Sequence, residues 1–151
     1  MSSYFEQNIS FYTVPAAFAL VMIPHAYGVA LAGRNYDLAN PRATEENALK
    51  DTRITKPTLQ RIKRARNATA NGFETLALFA AGVVAANAAG VGRGDLNRLT
   101  LGYLGTRAAY NFSYVVLQEN ARLAVFRSVS WISSLVCIFS LFVKAGNAVN
   151  K

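Results

Sequence analysis

The stretch Arg61-Ile62-Lys63-Arg64-Ala65-Arg66-Asn67-Ala68-Thr69-Ala70-Asn71-Gly72-Phe73-Glu74-Thr75-Leu76-Ala77-Leu78-Phe79 runs from a basic segment straight into an apolar one that still carries an amide and a carboxylate. On a helix advancing about 100° per residue, Arg64, Asn67, Asn71 and Glu74 recur at i, i+3, i+7 and i+10 and form one stripe. The other faces are Ala, Leu, Phe, Val and Gly. A carboxylate inside hydrocarbon costs on the order of several kcal/mol unless it is paired or faces a wet cavity, so the stripe is a candidate functional site. The structural alternative for Glu74 is an anchor at headgroup depth.

The surroundings of this stretch point to a membrane. The 151 residues leave room for a single domain, taken as 1–151. Of them 52% are hydrophobic and only 16% charged, more apolar than soluble domains of this size. The net charge of +8 is concentrated between Arg34 and Arg66, beside apolar spans, which fits a basic loop at a membrane surface rather than a nucleic-acid partner. The single cysteine, Cys137, lies in an apolar run and reads as a small buried hydrophobe.

Upstream, Gln7 to Gly33 contains no Lys, Arg, Asp or Glu, and about 20 apolar residues suffice to span a bilayer core. This predicts a first transmembrane helix over about 11–33. Ala30-Leu31-Ala32 resembles a signal-peptidase site, but no Lys or Arg precedes the apolar run, so it is read as uncleaved. His25, after Pro24, is either a proton relay or, as is more usual, a residue that caps a kink or bonds a carbonyl. A polar loop is expected over 34–56, with Asn40-Pro41-Arg42 as a turn signal. Thr55 or Thr58 is positioned to cap a second helix over about 57–89, which the glycines at 90, 92 and 94 end.

Downstream, a third helix over about 97–118 places Arg107, Tyr110 and Tyr114 at i, i+3 and i+7, with Asn111 and Gln118 beside them. The tyrosines can be read as interfacial belt residues and Arg107 as a snorkelling anchor. Arg107 lies near the middle of its run, however, so a partner is required, and Glu74 is the expected one. A fourth helix is expected over about 122–144, with Arg127 near its start. The loop from Arg34 to Arg66 carries nine Lys or Arg, and the connection after the third helix adds Arg122 and Arg127. The positive-inside rule puts both on the cytosolic side and both termini on the other. No zinc spacing, nucleotide loop or Ser-His-Asp order is present, and no metal site is expected. The Asn-x-Ser/Thr matches at Asn8, Asn67 and Asn111 fall in or near predicted helices and are poor glycosylation sites.

Arg64-Ala65 with Asn71-Gly72-Phe73-Glu74-Thr75-Leu76-Ala77-Leu78-Phe79, followed by Arg107, Tyr110 and Tyr114, resembles the membrane-associated proteins in eicosanoid and glutathione metabolism, the MAPEG family. Val14-Pro15, Ile23-Pro24-His25-Ala26-Tyr27, Asn40-Pro41-Arg42 and Arg127-Ser128-Val129-Ser130-Trp131 extend the likeness over nearly the whole chain. The resemblance implies an all-α fold, an integral-membrane four-helix bundle assembling as a homotrimer, with a glutathione site at each subunit interface. It implies an enzyme of the endoplasmic reticulum membrane, its site facing the cytosol, acting as a glutathione-dependent transferase or peroxidase on lipophilic small molecules. Membrane lipid is then a further partner, and nucleic acid is not one.

Carried over by position, Arg64, Asn67, Asn71, Glu74, Arg107, Tyr110 and Tyr114 would bind glutathione. Arg127 would be the catalytic cation, favouring thiolate over thiol. Arg122 is the alternative, and Trp131, following Arg127, favours the latter. Asn67 stands where glutathione-using members often carry an Arg, Thr75 where the synthases have an aromatic, and Ala77 where Pro is common. The second reading is therefore a member of the fold without glutathione chemistry, serving as an isomerase or cyclase for a hydrophobic metabolite or as a membrane scaffold. The small residues Ala80, Ala81, Gly82, Ala85, Ala86, Ala88 and Ala89 are expected to bring the second helix close to a threefold axis.

Overall fold

The N-terminal uncharged run becomes α1, Ser10–Ala32, and ends where Gly33 takes a left-handed φ of 53° and its N–H returns to the Val29 carbonyl. A computed structural model describes residues 7–119 and 124–150, and all regular elements among them are helical. The stretch 34–56, expected as a loop, contains a two-turn helix, α2, Thr44–Lys50. Glu45 and Glu46 in its first turn and Lys50 in its last complement the helix dipole. Lys50 also holds the Glu46 carboxyl below the usual carboxylate range, chiefly by a hydrogen bond. Buried Ala48 fastens α2 to Ala32 and Ile62.

The quoted stretch lies in α3, Lys56–Ala88, capped by the Thr55 hydroxyl, which accepts from the Thr58 N–H. A Schellman turn closes it: Val91 N–H bonds the Ala86 carbonyl, Gly90 N–H bonds that of Asn87, and Gly90 has φ 73°. Of the glycines at 90, 92 and 94, only Gly90 takes this conformation. Gly92 caps and Gly94 lies inside the next helix, α4, Arg93–Val115, which begins earlier than the apolar run alone indicates. A single 3₁₀ turn, Leu117–Glu119, follows, and α5 spans Ala124–Val149.

α1 packs on α3 and α4, and α5 packs on the same two helices from the other side. The core between them holds Phe79, Val83, Leu96, Tyr103, Ile138 and Leu141. Phe79 stacks on Tyr103 with centroids 3.9 Å apart, and the Tyr103 hydroxyl meets that of Thr75 at 3.2 Å. α1 approaches α3 closely, because a Cβ on Gly72 would lie 2.7 Å from a Val21 methyl and one on Gly28 would lie 3.3 Å from Ala65. At the opposite end a polar clasp forms, in which Asn87 donates to Ser10 Oγ, Asn8 to Asn87, and Asn97 to the Gln7 carbonyl.

α1, α3 and α5 are each long and apolar enough to cross a membrane. Outward-facing Val125, Val129, Ile132, Val136, Phe139 and Val143 give α5 one continuous apolar face. α4 is as long as α1, 23 residues, but turns Asn97, Thr100, Arg107 and Ser113 inward, where they are buried. Pro24 removes the N–H that would bond the Leu20 carbonyl. Asn111 Nδ2 of α4 supplies the missing donor at 2.9 Å.

The small residues of α3 do not share one role. Gly82 and Ala86 are buried within the chain, Gly82 against Phe142 and Leu141, whereas Ala70, Ala77, Ala81 and Ala88 are exposed along another face together with Glu74.

Candidate functional site

The α3 stripe and the α4 stripe meet, but through a different pairing from the expected one. Arg107, only 3% exposed, donates from Nη1 to Asn71 Oδ1 at 3.0 Å. Asn71 Nδ2 in turn donates to Glu74 Oε2 at 3.2 Å. No ion pair joins Arg107 to Glu74 among the described residues, and Glu74 is exposed on the surface of the chain rather than buried. The physical reason is reach: Asn71 lies between them on the same stripe and takes the guanidinium. Arg107 Cζ sits 4.5 Å from the centroid of the Tyr110 ring, which supplies further cation stabilisation, and its Nη2 is buried with no partner among the described residues.

One turn on, Tyr110 and Tyr114 have ring centroids 5.6 Å apart. Arg127, at the start of α5, lies 5.0 Å over the Tyr114 ring and donates to Gln118 Oε1 at 3.0 Å. Asn71, Tyr110, Tyr114, Arg127, Ser128 and Trp131 surround a cavity of about 230 Å³. Asn67 reaches the Tyr114 hydroxyl at 3.5 Å, the outer limit of a hydrogen bond. Arg64 lies apart from this cavity. Its Nε donates to the Val115 carbonyl at 3.3 Å, and its side chain lines a separate basin with Lys56, Gln60 and Gln118. Arg122, the alternative cation, lies outside the described residues.

Ser128 and Trp131 join the cavity without having been singled out as ligands. The signal was available, since 127 and 131 are one helical turn apart and share a face. His25 is elsewhere, on a groove between α1 and α3, and its imidazole has no hydrogen-bond partner among the described residues. The described residues hold no cluster of His, Cys, Asp or Glu able to bind a metal.

Chemically, the cavity offers a guanidinium held by an aromatic face, two phenols, an amide, a hydroxyl and an indole. Such a lining suits a small anionic polar ligand, because a cation in a low-dielectric wall attracts an anion more strongly than it would in water. The sequence model of the MAPEG family matches residues 11–147, nearly the whole chain. The chain belongs to the MAPEG family. It is accordingly an integral membrane protein, as its three apolar spans also indicate. Comparison with curated proteins and with solved structures found no match.

Proposed function

We propose that this MAPEG-family protein is a membrane-bound, glutathione-dependent transferase or peroxidase acting on lipophilic electrophiles. The observation that carries the reading is the cavity bounded by Arg127, Tyr114, Tyr110 and Asn71. Arg127 is the proposed catalytic cation, and Asn71, Tyr110 and Tyr114 are the proposed ligand-binding groups, with Arg107 acting through Asn71. Glutathione supplies a thiol, and a guanidinium beside that sulfur favours its ionised form. Asn71 and the tyrosine hydroxyls offer donors and acceptors for peptide groups, while the apolar helix walls admit a greasy co-substrate from the bilayer.

The cavity within one chain is smaller than the roughly 300–1,000 Å³ usual for ligand sites. Glu74, Asn67, Ala70, Ala77 and Ala81 are exposed beside it or along the same helix face. A second copy packed on that face would enlarge the site and cover the carboxylate, and small residues allow such close approach. This supports a four-helix protomer in a homotrimer whose sites lie between subunits. The basic ends of α3 and α5 favour, by the positive-inside rule, a site that faces the cytosol, and the endoplasmic reticulum is the proposed location.

Asn67 favours a second reading. It is neutral, and its amide turns to Tyr114. A member lacking glutathione chemistry would keep the fold and act as an isomerase, a cyclase or a scaffold. Calorimetric titration of glutathione into the purified protein in detergent separates the two: saturable binding is expected, and no heat of binding with intact, folded protein sinks the glutathione reading.

A further inference from the structure

Arg127 stands where its own helix is a poor host for a cation. It lies in the first turn of α5, and a helix N-terminus carries partial positive charge. Its side chain is held from outside α5 instead. The Tyr114 ring centroid lies 5.0 Å from its Cζ, and its Nη1 donates to Gln118 Oε1 at 3.0 Å. Tyr114 belongs to α4, and Gln118 to the 3₁₀ turn Leu117–Glu119 that follows it.

That end of α4 is itself braced. The Val116 N–H returns to the Phe112 carbonyl, and Arg64 Nε of α3 donates to the Val115 carbonyl at 3.3 Å. Gln118 follows directly, half-buried, and its side chain both lines the outer basin of Lys56, Gln60 and Arg64 and bonds Arg127. It is not among the residues around the Arg127 cavity.

The chemistry of this partner matters. A carboxylate would hold a guanidinium more strongly than an amide does, but it would also offset the charge. An amide oxygen orients one N–H of the fork and leaves the positive charge and the other donors to whatever enters the cavity. Among the described residues no carboxylate pairs with Arg127: Asp95 is taken by Arg98 and Lys144, Glu45 by Lys63 and Arg66, and Glu74 accepts from Asn71.

We propose that Gln118 is the positioning residue of Arg127, a neutral tether that aims the guanidinium at the cavity and leaves its charge for an anionic sulfur. The inference rests on the glutathione reading of that cavity and adds to it a residue outside the cavity wall.

The test uses the full chain in mild detergent, saturated with glutathione. Thiolate is followed by ultraviolet absorbance across a pH series, and the melting temperature and calorimetric affinity are measured on the same samples. Gln118→Glu keeps the acceptor and adds a charge, so it should melt no lower than the unaltered protein. It should nevertheless raise the pH at which bound glutathione is half ionised by about one unit, the low end of what a neighbouring charge does to a titrating group. Near neutral pH the thiolate should then fall up to about tenfold. Gln118→Met keeps the length and removes the amide oxygen, and should raise the half-ionisation pH by less. Gln60→Glu, which adds the same charge at an exposed position in the outer basin, should leave it unchanged.

A shift from Gln60→Glu as large as that from Gln118→Glu would overturn the proposal. A Gln118→Glu variant that melts lower than the unaltered protein would overturn it too, because the residue would then be structural. If the unaltered protein ionises glutathione and both Gln118 variants keep its half-ionisation pH, the tether alone is wrong. If the unaltered protein does not bind glutathione, or binds it only as the thiol, the glutathione reading falls and the tether with it.

Discussion

Arg107 donates to Asn71 at 3.0 Å, and Asn71, not Glu74, is its only hydrogen-bond partner in the other long helices among the described residues. The guanidinium is almost completely enclosed, so the amide oxygen is part of what makes its burial tolerable. Asn71→Ala should cost about 1.5–3 kcal/mol, the range for a hydrogen bond to a charged group. Glu74→Gln should change stability by no more than about 0.5 kcal/mol, as for an exposed position without a charge partner. Thermal unfolding in detergent reads both, and a larger loss from Glu74→Gln than from Asn71→Ala would show that the carboxylate carries the contact.

Gly72 is required by the closeness of α1. An alanine Cβ there would lie 2.7 Å from Val21, which is itself buried at 4% exposure. Gly72→Ala should destabilise by about 1–3 kcal/mol through overpacking. Adding Val21→Ala should recover part of that loss. If the double variant melted no higher than Gly72→Ala alone, the close approach would not be the cause.

Much of this architecture is legible in the sequence, and what is not has identifiable reasons. The uncharged run before Gly33 and the polar-to-apolar change after Arg66 mark α1 and α3, because charge and length alone decide a span. α2 has seven residues and buries only Ala48, too little for any periodicity, and its position depends on Ile62 and Glu45 meeting distant partners. Charge alone points Arg107 to Glu74, whereas the structure pairs it with Asn71, which sits on the same stripe about a turn away. Which of them is in reach depends on the rotation of α3 against α4. The split of the small residues, Gly82 inward and Ala81 outward, has the same origin. Adjacent positions point about 100° apart, and only packing decides which face is covered.

Asp95 ties the start of α4 to the end of α5. Its carboxyl accepts from Lys144 at 2.8 Å and from Arg98 at 2.7 Å, and chiefly the Lys144 hydrogen bond holds its pKa below the ordinary Asp value. A depressed folded pKa gives stability that is present above the unfolded value, about 3.9, and is lost as pH falls through the folded one. The protein should therefore melt higher than Asp95→Asn at neutral pH, and the gap should close below about pH 4. A gap independent of pH would remove the carboxylate's charge from the explanation.

Arg127 lies over Tyr114 and borders the cavity. With glutathione bound there, Arg127→Ala should reduce the thiolate absorbance near 240 nm expected of an ionised thiol at neutral pH, and slow turnover by about two orders of magnitude, as for a lost charge-stabilising contact. Arg122→Ala should matter much less. The reverse ranking would move the role to Arg122, and small equal effects would count against thiol activation by either.

Asn111 and Pro24 form a compensating pair across two helices. Pro24 leaves the Leu20 carbonyl without its intrahelical donor, and Asn111 Nδ2 occupies that carbonyl at 2.9 Å. Because α4 also carries Arg107 and Tyr110 within four residues of Asn111, this bond sets the height of the site helix against α1. Asn111→Leu, similar in shape, should cost about 1–3 kcal/mol by leaving a carbonyl unsatisfied in an apolar setting. Pro24→Ala restores an N–H to α1, so Asn111→Leu should cost less in that background. The difference should be a coupling of about 0.5 kcal/mol or more by thermal or chemical denaturation in detergent. Strictly additive losses would mean that the two residues act independently and that the carbonyl is satisfied in some other way.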